Sequence, residues 1–176
     1  FPCTGLQSWF VADNTWSGFP ADAVDRWNAH SGSKFIVSEY VMRSNVYYQS
    51  DDWAISPKVF GGTQMLSFYA KSFDPNYLED FEVLASSNTT NTDDFKSISY
   101  VKTVPNAWTP YQFKLPEGTK YFAIRSRSQD KFMLFIDDVT FIPEDAAPAV
   151  LELKGYNIYR NGIKINETPV AETSFT

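Results

Sequence analysis

The sequence is poor in the residues that build common catalytic and metal centres. Its 176 residues contain one cysteine, Cys3, and one histidine, His30. A single cysteine excludes an internal disulfide and a multi-cysteine metal cluster. A Ser-His-Asp triad would have to use His30, a Cys–His pair would have to use both residues, and no HExxH or glycine-rich nucleotide motif is present. These absences favour a binding module over an enzyme.

Basic charge and long apolar runs are also scarce. Fifteen Lys and Arg residues stand against 21 Asp and Glu residues, for a net charge of -6. A general nucleic-acid binder needs a basic stripe that displaces counterions from phosphates. No apolar run approaches the roughly 20 residues that span a bilayer. We therefore expect neither nucleic-acid binding nor membrane insertion.

Aromatic residues, by contrast, are abundant and follow a strand-like period. They make up 17% of the chain, which is far more apolar material than a disordered protein carries. Alternating apolar and polar residues, bounded by turn-forming residues, predict strands at 34–42, 64–71, 81–86, 96–104, 109–115, 120–127 and 133–142. This spacing predicts an all-β, jelly-roll-like antiparallel β-sandwich.

The C-terminal part has a different composition. Residues 143–148 (Pro-Glu-Asp-Ala-Ala-Pro) resemble a linker, so we predict a main domain at 1–143 and a linker with a β-hairpin at 144–176. Asn161-Gly162 between two alternating segments favours the hairpin turn. Since an isolated hairpin is marginal in water, we expect it to dock on the main domain or to pair with a strand of a neighbouring chain. The docking residues would be Ile158, Tyr159, Ile163 and Ile165.

An ordered series of short motifs covers most of the chain. It consists of Trp-Asn-Ala-His-Ser-Gly at 27–32, Asp-Trp-Ala-Ile-Ser-Pro at 52–57, Leu-Ser-Phe-Tyr-Ala at 66–70, Phe-Glu-Val-Leu-Ala-Ser-Ser at 81–87, Asp-Phe at 94–95, Trp-Thr at 108–109, Leu-Pro-Glu-Gly-Thr-Lys-Tyr-Phe-Ala-Ile-Arg at 115–125 and Phe-Ile-Asp-Asp-Val-Thr-Phe at 135–141. This series resembles the cleaved-adhesin domain, the haemagglutinin/adhesin repeat of gingipains. Residues 156–165 resemble the opening of the fibronectin-type-III-like segment that follows such domains, so the resemblance covers roughly residues 25–176.

The resemblance implies a jelly-roll β-sandwich that is secreted or displayed on the cell surface and is not catalytic. Members of the family bind host proteins, haem-proteins or carbohydrates and carry structural calcium. Two hypotheses follow for this chain. The first is an adhesin module with structural calcium that binds a host glycoprotein or matrix protein, and the second is a carbohydrate-binding module that captures glycans.

Calcium would need oxygen ligands, and two clusters of acidic residues offer them. Asp137 and Asp138 follow an apolar strand, where successive side chains face opposite sides, so only one of the two points inward easily. An inward carboxylate needs a partner, which a Ca²⁺ ion or an arginine would supply. The resemblance also places calcium near this pair. The loop 72–80 adds Asp74 and Asp80 as candidate ligands, although an ordinary Asx-turn loop is the favoured explanation for them.

Exposed aromatic and charged side chains are the candidates for ligand binding, because sugar rings stack on aromatic faces. The candidates are Trp16, Tyr47, Tyr48, Trp108, Arg125 and Arg127. The alternative is that these rings fill the core and that the arginines lie on a solvated face. We expect Trp53, Phe68 and Phe122 in the core. We expect His30 to form local hydrogen bonds in a loop, since one histidine does not build a transition-metal site.

Overall fold

The computed structural model describes residues 8–15, 26–59 and 64–143, together with the backbone of Tyr159–Arg160 and Ile163–Lys164. The candidate ligand residue Trp16 and the predicted hairpin turn at Asn161-Gly162 lie outside these residues. Among the described residues, no helix is long and apolar enough to cross a membrane.

Strands dominate the described residues. They are β1 (Phe10–Asp13), β2 (Lys34–Glu39), β3 (Val41–Arg43), β4 (Val46–Tyr48), β5 (Asp52–Ile55), β6 (Gln64–Ser72), β7 (Phe81–Ser86), β8 (Lys96–Val101), β9 (Thr109–Leu115), β10 (Tyr121–Ser126), β11 (Met133–Pro143), β12 (Tyr159–Arg160) and β13 (Ile163–Lys164). A single 3₁₀ turn at Thr92–Asp94 is the helical element of the described part.

Two antiparallel sheets carry the main unit. The five-stranded sheet has the order β1-β2-β11-β6-β9, and the four-stranded sheet has the order β5-β10-β7-β8. Alternate residues of β6, such as Leu66 and Phe68, are buried toward the four-stranded sheet, where they meet Val83 and Ile124. The large Phe and Leu side chains in this core each contribute about 1.5–3 kcal/mol on burial. The predicted antiparallel β-sandwich is confirmed.

The opposite face of the five-stranded sheet carries a second apolar group. Trp27, Phe35, Phe73 and Phe135, which we call the closed aromatic cluster, are all buried there. The Trp27 ring centroid lies 5.1 Å from those of Phe35 and Phe135, in edge-on contacts. The segment that begins at Arg26 therefore covers a sheet face that would otherwise be open to solvent.

Several strand boundaries differ from the prediction. The predicted strand 34–42 is interrupted at Tyr40, after which β3 turns away and pairs with β4. Ser44 and Asn45 have φ values of 49° and 62°, the left-handed conformations of a two-residue hairpin turn. β1, β4 and β5 were not predicted, because strands of three or four residues give little periodicity.

A β-bulge interrupts β11 next to its acidic pair. The register of β11 against β6 shifts between Asp137 and Thr140. Asp138 adopts φ 50°, a left-handed conformation that aspartate tolerates better than most residues. The bulge redirects both carboxylates, as described below.

The chain divides into two compact units, Phe1–Asp145 and Ala146–Thr176. In the second unit, β12 pairs antiparallel with β13, with Tyr159 opposite Lys164 and Arg160 opposite Ile163. The docking or strand pairing of this hairpin stays a prediction.

Candidate functional site

A pocket of about 310 Å³ opens where three connections of the main unit meet. These are the β3–β4 hairpin with Tyr40 directly before it, the loop between β6 and β7, and the loop between β10 and β11. We call it the tyrosine pocket. It is lined by Tyr40, Tyr47, Asp74, Tyr77, Asp130, Lys131 and Phe132.

Tyr40 and Phe132 form the inner wall of the tyrosine pocket. Their rings stack with centroids 5.8 Å apart and an interplanar angle of 23°. The backbone N–H of Tyr40 donates to the carbonyl oxygen of Phe132 at 2.8 Å. Phe132 also contacts Phe73 edge-on at 5.4 Å, so the wall rests on the closed aromatic cluster. This packing fixes the wall before any ligand arrives.

Tyr47 and Tyr77 lie at the mouth of the pocket. Their side chains are 46% and 49% exposed. Asp74 builds the turn that presents Tyr77: its Oδ1 accepts from the Asn76 N–H at 2.9 Å, and its carbonyl oxygen accepts from the Tyr77 N–H at 3.2 Å. An exposed ring on a tight turn is available for stacking with a ligand.

Charged side chains complete the lining. Asp74 is paired with Arg26, whose Nη1 lies 3.2 Å from Oδ2 of Asp74. Asp130 and Lys131 follow on the neighbouring loop. With Asp74 balanced by Arg26 and Asp130 followed by Lys131, the lining has no net charge surplus and offers both acceptors and donors for hydroxyl groups.

Hydrogen bonds between loops hold the pocket together. Ser128 accepts from the Asp80 N–H through its Oγ at 2.8 Å. Its carbonyl oxygen accepts from the Ser50 N–H at 2.7 Å. The loop between β10 and β11 is thereby attached to two other segments of the chain, so it is not a free surface loop.

Of the residues predicted to bind a ligand, Tyr47 lies in this pocket. Tyr48 is exposed next to it but does not line the pocket. The residues that sequence reasoning missed are Tyr40, Tyr77, Asp130, Lys131 and Phe132. The one available signal was the turn pattern Asp-Pro-Asn at 74–76, which places Tyr77 at a loop tip.

Arg125 and Arg127 lie elsewhere, on or just after β10 of the four-stranded sheet. The Nε of Arg125 is 2.5 Å from Oδ1 of Asp51, and its Nη1 is 3.3 Å from Oε2 of Glu82. Its guanidinium also lies 4.5 Å from the ring centroid of Trp53. The hydrogen bond from Arg125 lowers the pKa of Asp51. Arg125 is therefore already neutralised by two carboxylates, and ligand binding by the two arginines stays a prediction.

Trp53 was expected in the core, and that expectation is wrong. The side chain is partly exposed and packs on the outer face of the four-stranded sheet with Phe95, at a ring distance of 5.7 Å. Its Nε1 donates to Oδ1 of Asp51 at 2.9 Å. Phe68 and Phe122 are buried as expected.

Trp108 packs beside the closed aromatic cluster. The buried ammonium of Lys71 lies 4.9 Å from its ring centroid and donates to the carbonyl oxygen of Arg26 at 2.7 Å. Burial lowers the pKa of Lys71 to about 8. Trp108 thus covers a buried cation, and its predicted contact with a ligand stays a prediction.

The acidic pair on β11 holds the loop that contains His30. Oδ2 of Asp137 accepts from the N–H groups of His30 and Ser31, at 2.8 and 3.2 Å. Its Oδ1 accepts from the Asp138 N–H at 2.7 Å. Asp138 accepts from Ser31 Oγ at 2.5 Å and lies 2.6 Å from His30 Nδ1. The hydrogen bond from Ser31, followed by that from His30, lowers the pKa of Asp138.

This geometry corrects the expectation that Asp137 and Asp138 face opposite sides. The bulge turns both carboxylates toward the same loop, so protein donors occupy all four oxygen atoms. His30 was expected to form local hydrogen bonds within its loop, but its imidazole instead contacts Asp138, 108 positions along the chain, and stacks on the ring of Tyr69 at 3.6 Å. Ser31 donates to the aspartate rather than to the imidazole, which is not the arrangement of a nucleophilic triad.

The other predicted calcium ligands are also occupied by protein donors. Asp74 bonds to Arg26, while Oδ1 of Asp80 accepts from the Thr103 N–H at 2.9 Å. Across residues 8–15, 26–59 and 64–143, no group of three or more His, Cys, Asp or Glu side chains is placed to hold a metal ion. These donor sets do not fit a calcium shell of six to eight oxygens without rearrangement.

Comparison with known proteins adds a family match. A family model described as the Cleaved Adhesin Domain matches residues 11–141. Hemagglutinin A of Porphyromonas gingivalis is 28% identical over 196 residues, and the match covers 96% of this chain but 7% of that protein. The chain therefore spans a small fraction of the curated relatives that it matches.

Solved structures give the same fold. The K1 cleaved adhesin domain of Lys-gingipain from Porphyromonas gingivalis W83 matches with a TM-score of 0.59 and 22% identity, over 81% of this chain and 92% of that domain. The CBM22-1-GH10 modules of xylanase 10B from Clostridium thermocellum match with a TM-score of 0.50 and 18% identity, over 78% of this chain and 24% of that chain. At these identities the likeness concerns the fold alone.

Proposed function

The chain belongs to the cleaved adhesin domain family, and from this membership we propose that it is a non-catalytic, extracellular adhesin module that binds the glycans of host glycoproteins through the tyrosine pocket. The observation that supports the site is the combination of a fixed aromatic wall with two exposed tyrosines at its mouth. Small-molecule sites are mostly concave and aromatic, with a few polar groups that set orientation.

The charge of the pocket favours a neutral sugar. Arg26 pairs with Asp74, and Lys131 stands next to Asp130, so the lining has no surplus of positive charge, and the chain as a whole carries a net charge of -6. Carboxylates accept hydroxyl protons well but repel a sialic acid carboxylate. We therefore propose that glycans with neutral terminal sugars bind better than sialylated ones.

Catalysis has no support in the pocket. A glycosidase needs two carboxylates on either side of the scissile bond, one of them protonated. Asp74 is instead paired with Arg26. We therefore propose binding without turnover.

Binding to fetuin tests this proposal, since the same protein exists in three glycan states. Surface plasmon resonance would compare native fetuin, asialofetuin and fetuin freed of its N-glycans. The proposal predicts the strongest binding to asialofetuin, weaker binding to the sialylated form and the loss of most binding after deglycosylation. Equal binding to all three forms would contradict it.

Direct binding to a host matrix protein is the second candidate. The β3–β4 hairpin supports it, because Val46 and Tyr48 are 52% and 49% exposed on a projecting turn. Exposed apolar side chains of this kind are typical of protein contacts. In the fetuin experiment this candidate predicts no dependence of binding on the glycan state of fetuin.

Structural calcium stays a prediction. A Ca²⁺ ion at Asp137 and Asp138 would have to displace Ser31 and the backbone N–H groups that now occupy their oxygens. Such a site would tie β11 to the loop that covers the closed aromatic cluster, as the present hydrogen bonds do.

A further inference from the structure

We propose that Glu79 positions the Phe132 wall of the tyrosine pocket, a role that rests on the pocket function proposed above. Glu79 lies between β6 and β7 and does not line the pocket itself. It would act through Phe132, so it is a positioning residue rather than a ligand contact.

The contact between the two residues is short and enclosed. Glu79 is 2% exposed, and its Oε1 accepts from the backbone N–H of Phe132 at 2.6 Å. A carboxylate acceptor gives a stronger hydrogen bond than a neutral one, and burial strengthens it further. The Phe132 backbone is thereby fixed on its N–H side.

The carbonyl side of Phe132 is fixed by the pocket itself. It accepts from the N–H of Tyr40, whose ring stacks on the Phe132 ring. A shift of the Phe132 backbone would therefore move both rings of the inner wall. One buried acceptor controls two of the aromatic surfaces that a sugar would meet.

Glu79 is itself held in place from several sides. Its N–H donates to Ser72 Oγ at 2.7 Å, and its carbonyl oxygen accepts from the Val104 N–H at 2.9 Å. Around its carboxylate lie the charges of Lys131 and Asp80 and the hydroxyl of Ser128. A buried carboxylate is costly, and an apolar side chain of similar size would be cheaper if packing were the only requirement.

Two substitutions separate positioning from stability. Glu79→Gln keeps a carbonyl acceptor for the Phe132 N–H, whereas Glu79→Met keeps the length and removes the acceptor. Val83→Ala is the matched control, because it opens a cavity in the core at a buried residue outside the pocket lining. Asialofetuin is the binding probe, and the amide resonances of Phe132 and Tyr40 report the wall without any ligand.

The proposal predicts that Glu79→Gln stays close to wild-type affinity and that Glu79→Met loses about tenfold. Val83→Ala should lower the melting temperature with less than about a twofold change in affinity. In Glu79→Met the Phe132 amide should move upfield and exchange faster, while in Val83→Ala it should stay in place. Wild-type affinity in folded Glu79→Met, or an equal loss of affinity in Val83→Ala, would overturn the proposal.

Two remaining outcomes are also decisive. If Glu79→Met does not fold, Glu79→Gln decides at pH 8, because replacing a charged acceptor by a neutral one must shift the Phe132 amide if the contact exists. An unchanged resonance overturns the positioning role. If wild type does not bind asialofetuin, the pocket function fails, and the amide comparison then decides the positioning of Phe132 by itself.

Discussion

The closed aromatic cluster and the tyrosine pocket are built from the same kind of side chain and differ in what covers them. Trp27, Phe35, Phe73 and Phe135 lie on a sheet face that the segment from Arg26 covers completely. In the pocket, the loops support the rings from behind and leave Tyr47 and Tyr77 open. The two regions meet at the contact of Phe73 with Phe132. Coverage, and not aromatic content alone, therefore decides which rings are available to a ligand.

Removing an aromatic side chain from the closed aromatic cluster should lower the free energy of unfolding more than any other change considered below. Phe135 is fully buried, with its ring 4.8 Å from Phe35 and 5.1 Å from Trp27. Phe135→Ala should lower the free energy of unfolding by about 3–5 kcal/mol in urea denaturation. Val139→Ala, at an exposed position, should change it by less than about 0.5 kcal/mol. A loss below about 1 kcal/mol for Phe135→Ala would show that the cluster is not part of the core.

Removing the hydrogen bonds that hold the covering segment on the closed aromatic cluster should lower the free energy of unfolding by a smaller amount. Asp137 accepts three backbone N–H groups, two of them from the covering segment. Asp137→Ala should lower the free energy of unfolding by about 1–3 kcal/mol, because these donors lose their acceptor. Hydrogen exchange at His30 and Ser31 should accelerate more than at Val83. Uniform acceleration along the chain would instead indicate a global effect.

The stability of the protein should depend on pH through Glu79, the buried residue behind the tyrosine pocket. Burial raises the pKa of Glu79 from 4.5 to about 7, so the unfolded chain releases this proton first as pH rises. The contribution of Glu79 to stability is therefore highest below about pH 4.5 and declines up to about pH 7. The urea midpoint of wild type minus that of Glu79→Gln should fall across this window. A constant difference between the two would contradict the assignment.

Removal of Ca²⁺ by a chelator should change the stability of the protein least, since protein donors already occupy the carboxylate oxygens of Asp137 and Asp138. If calcium binds there, excess chelator should lower the melting temperature by a few degrees, and Ca²⁺ should restore it, by mass action. An unchanged melting curve would refute the calcium prediction. In that case the hydrogen bonds from His30 and Ser31 would hold the covering segment to β11 without calcium.

Much of the sandwich was predictable from sequence, because a period of two along each long strand specifies which residues face the core. β6, β7, β9 and β11 begin and end within one residue of their predicted limits. The short strands β1, β4 and β5 were missed, since three or four residues carry too little periodicity. The direction of Asp138 was missed because a bulge reverses the alternation that the prediction assumed.

The pocket was harder to predict, because its residues come from three separate connections. Tyr47 was identified as an exposed aromatic residue, but Tyr77 and Phe132 look like ordinary loop and strand residues in the sequence. Their proximity depends on tertiary hydrogen bonds, such as that between Tyr40 and Phe132, which no local pattern encodes. Trp53 illustrates the opposite error, since a tryptophan at a strand start was assigned to the core and lies on an outer face.

The central claim is that the open aromatic residues, and not the covered ones, bind the glycan. Its most direct test measures the affinity for asialofetuin and the melting temperature of the double variant Tyr47→Ala, Tyr77→Ala beside Tyr100→Ala, an exposed tyrosine on β8 outside the pocket lining. We expect the double variant to lose at least about tenfold in affinity with an unchanged melting temperature, and Tyr100→Ala to bind like wild type. Wild-type affinity in the double variant would contradict it.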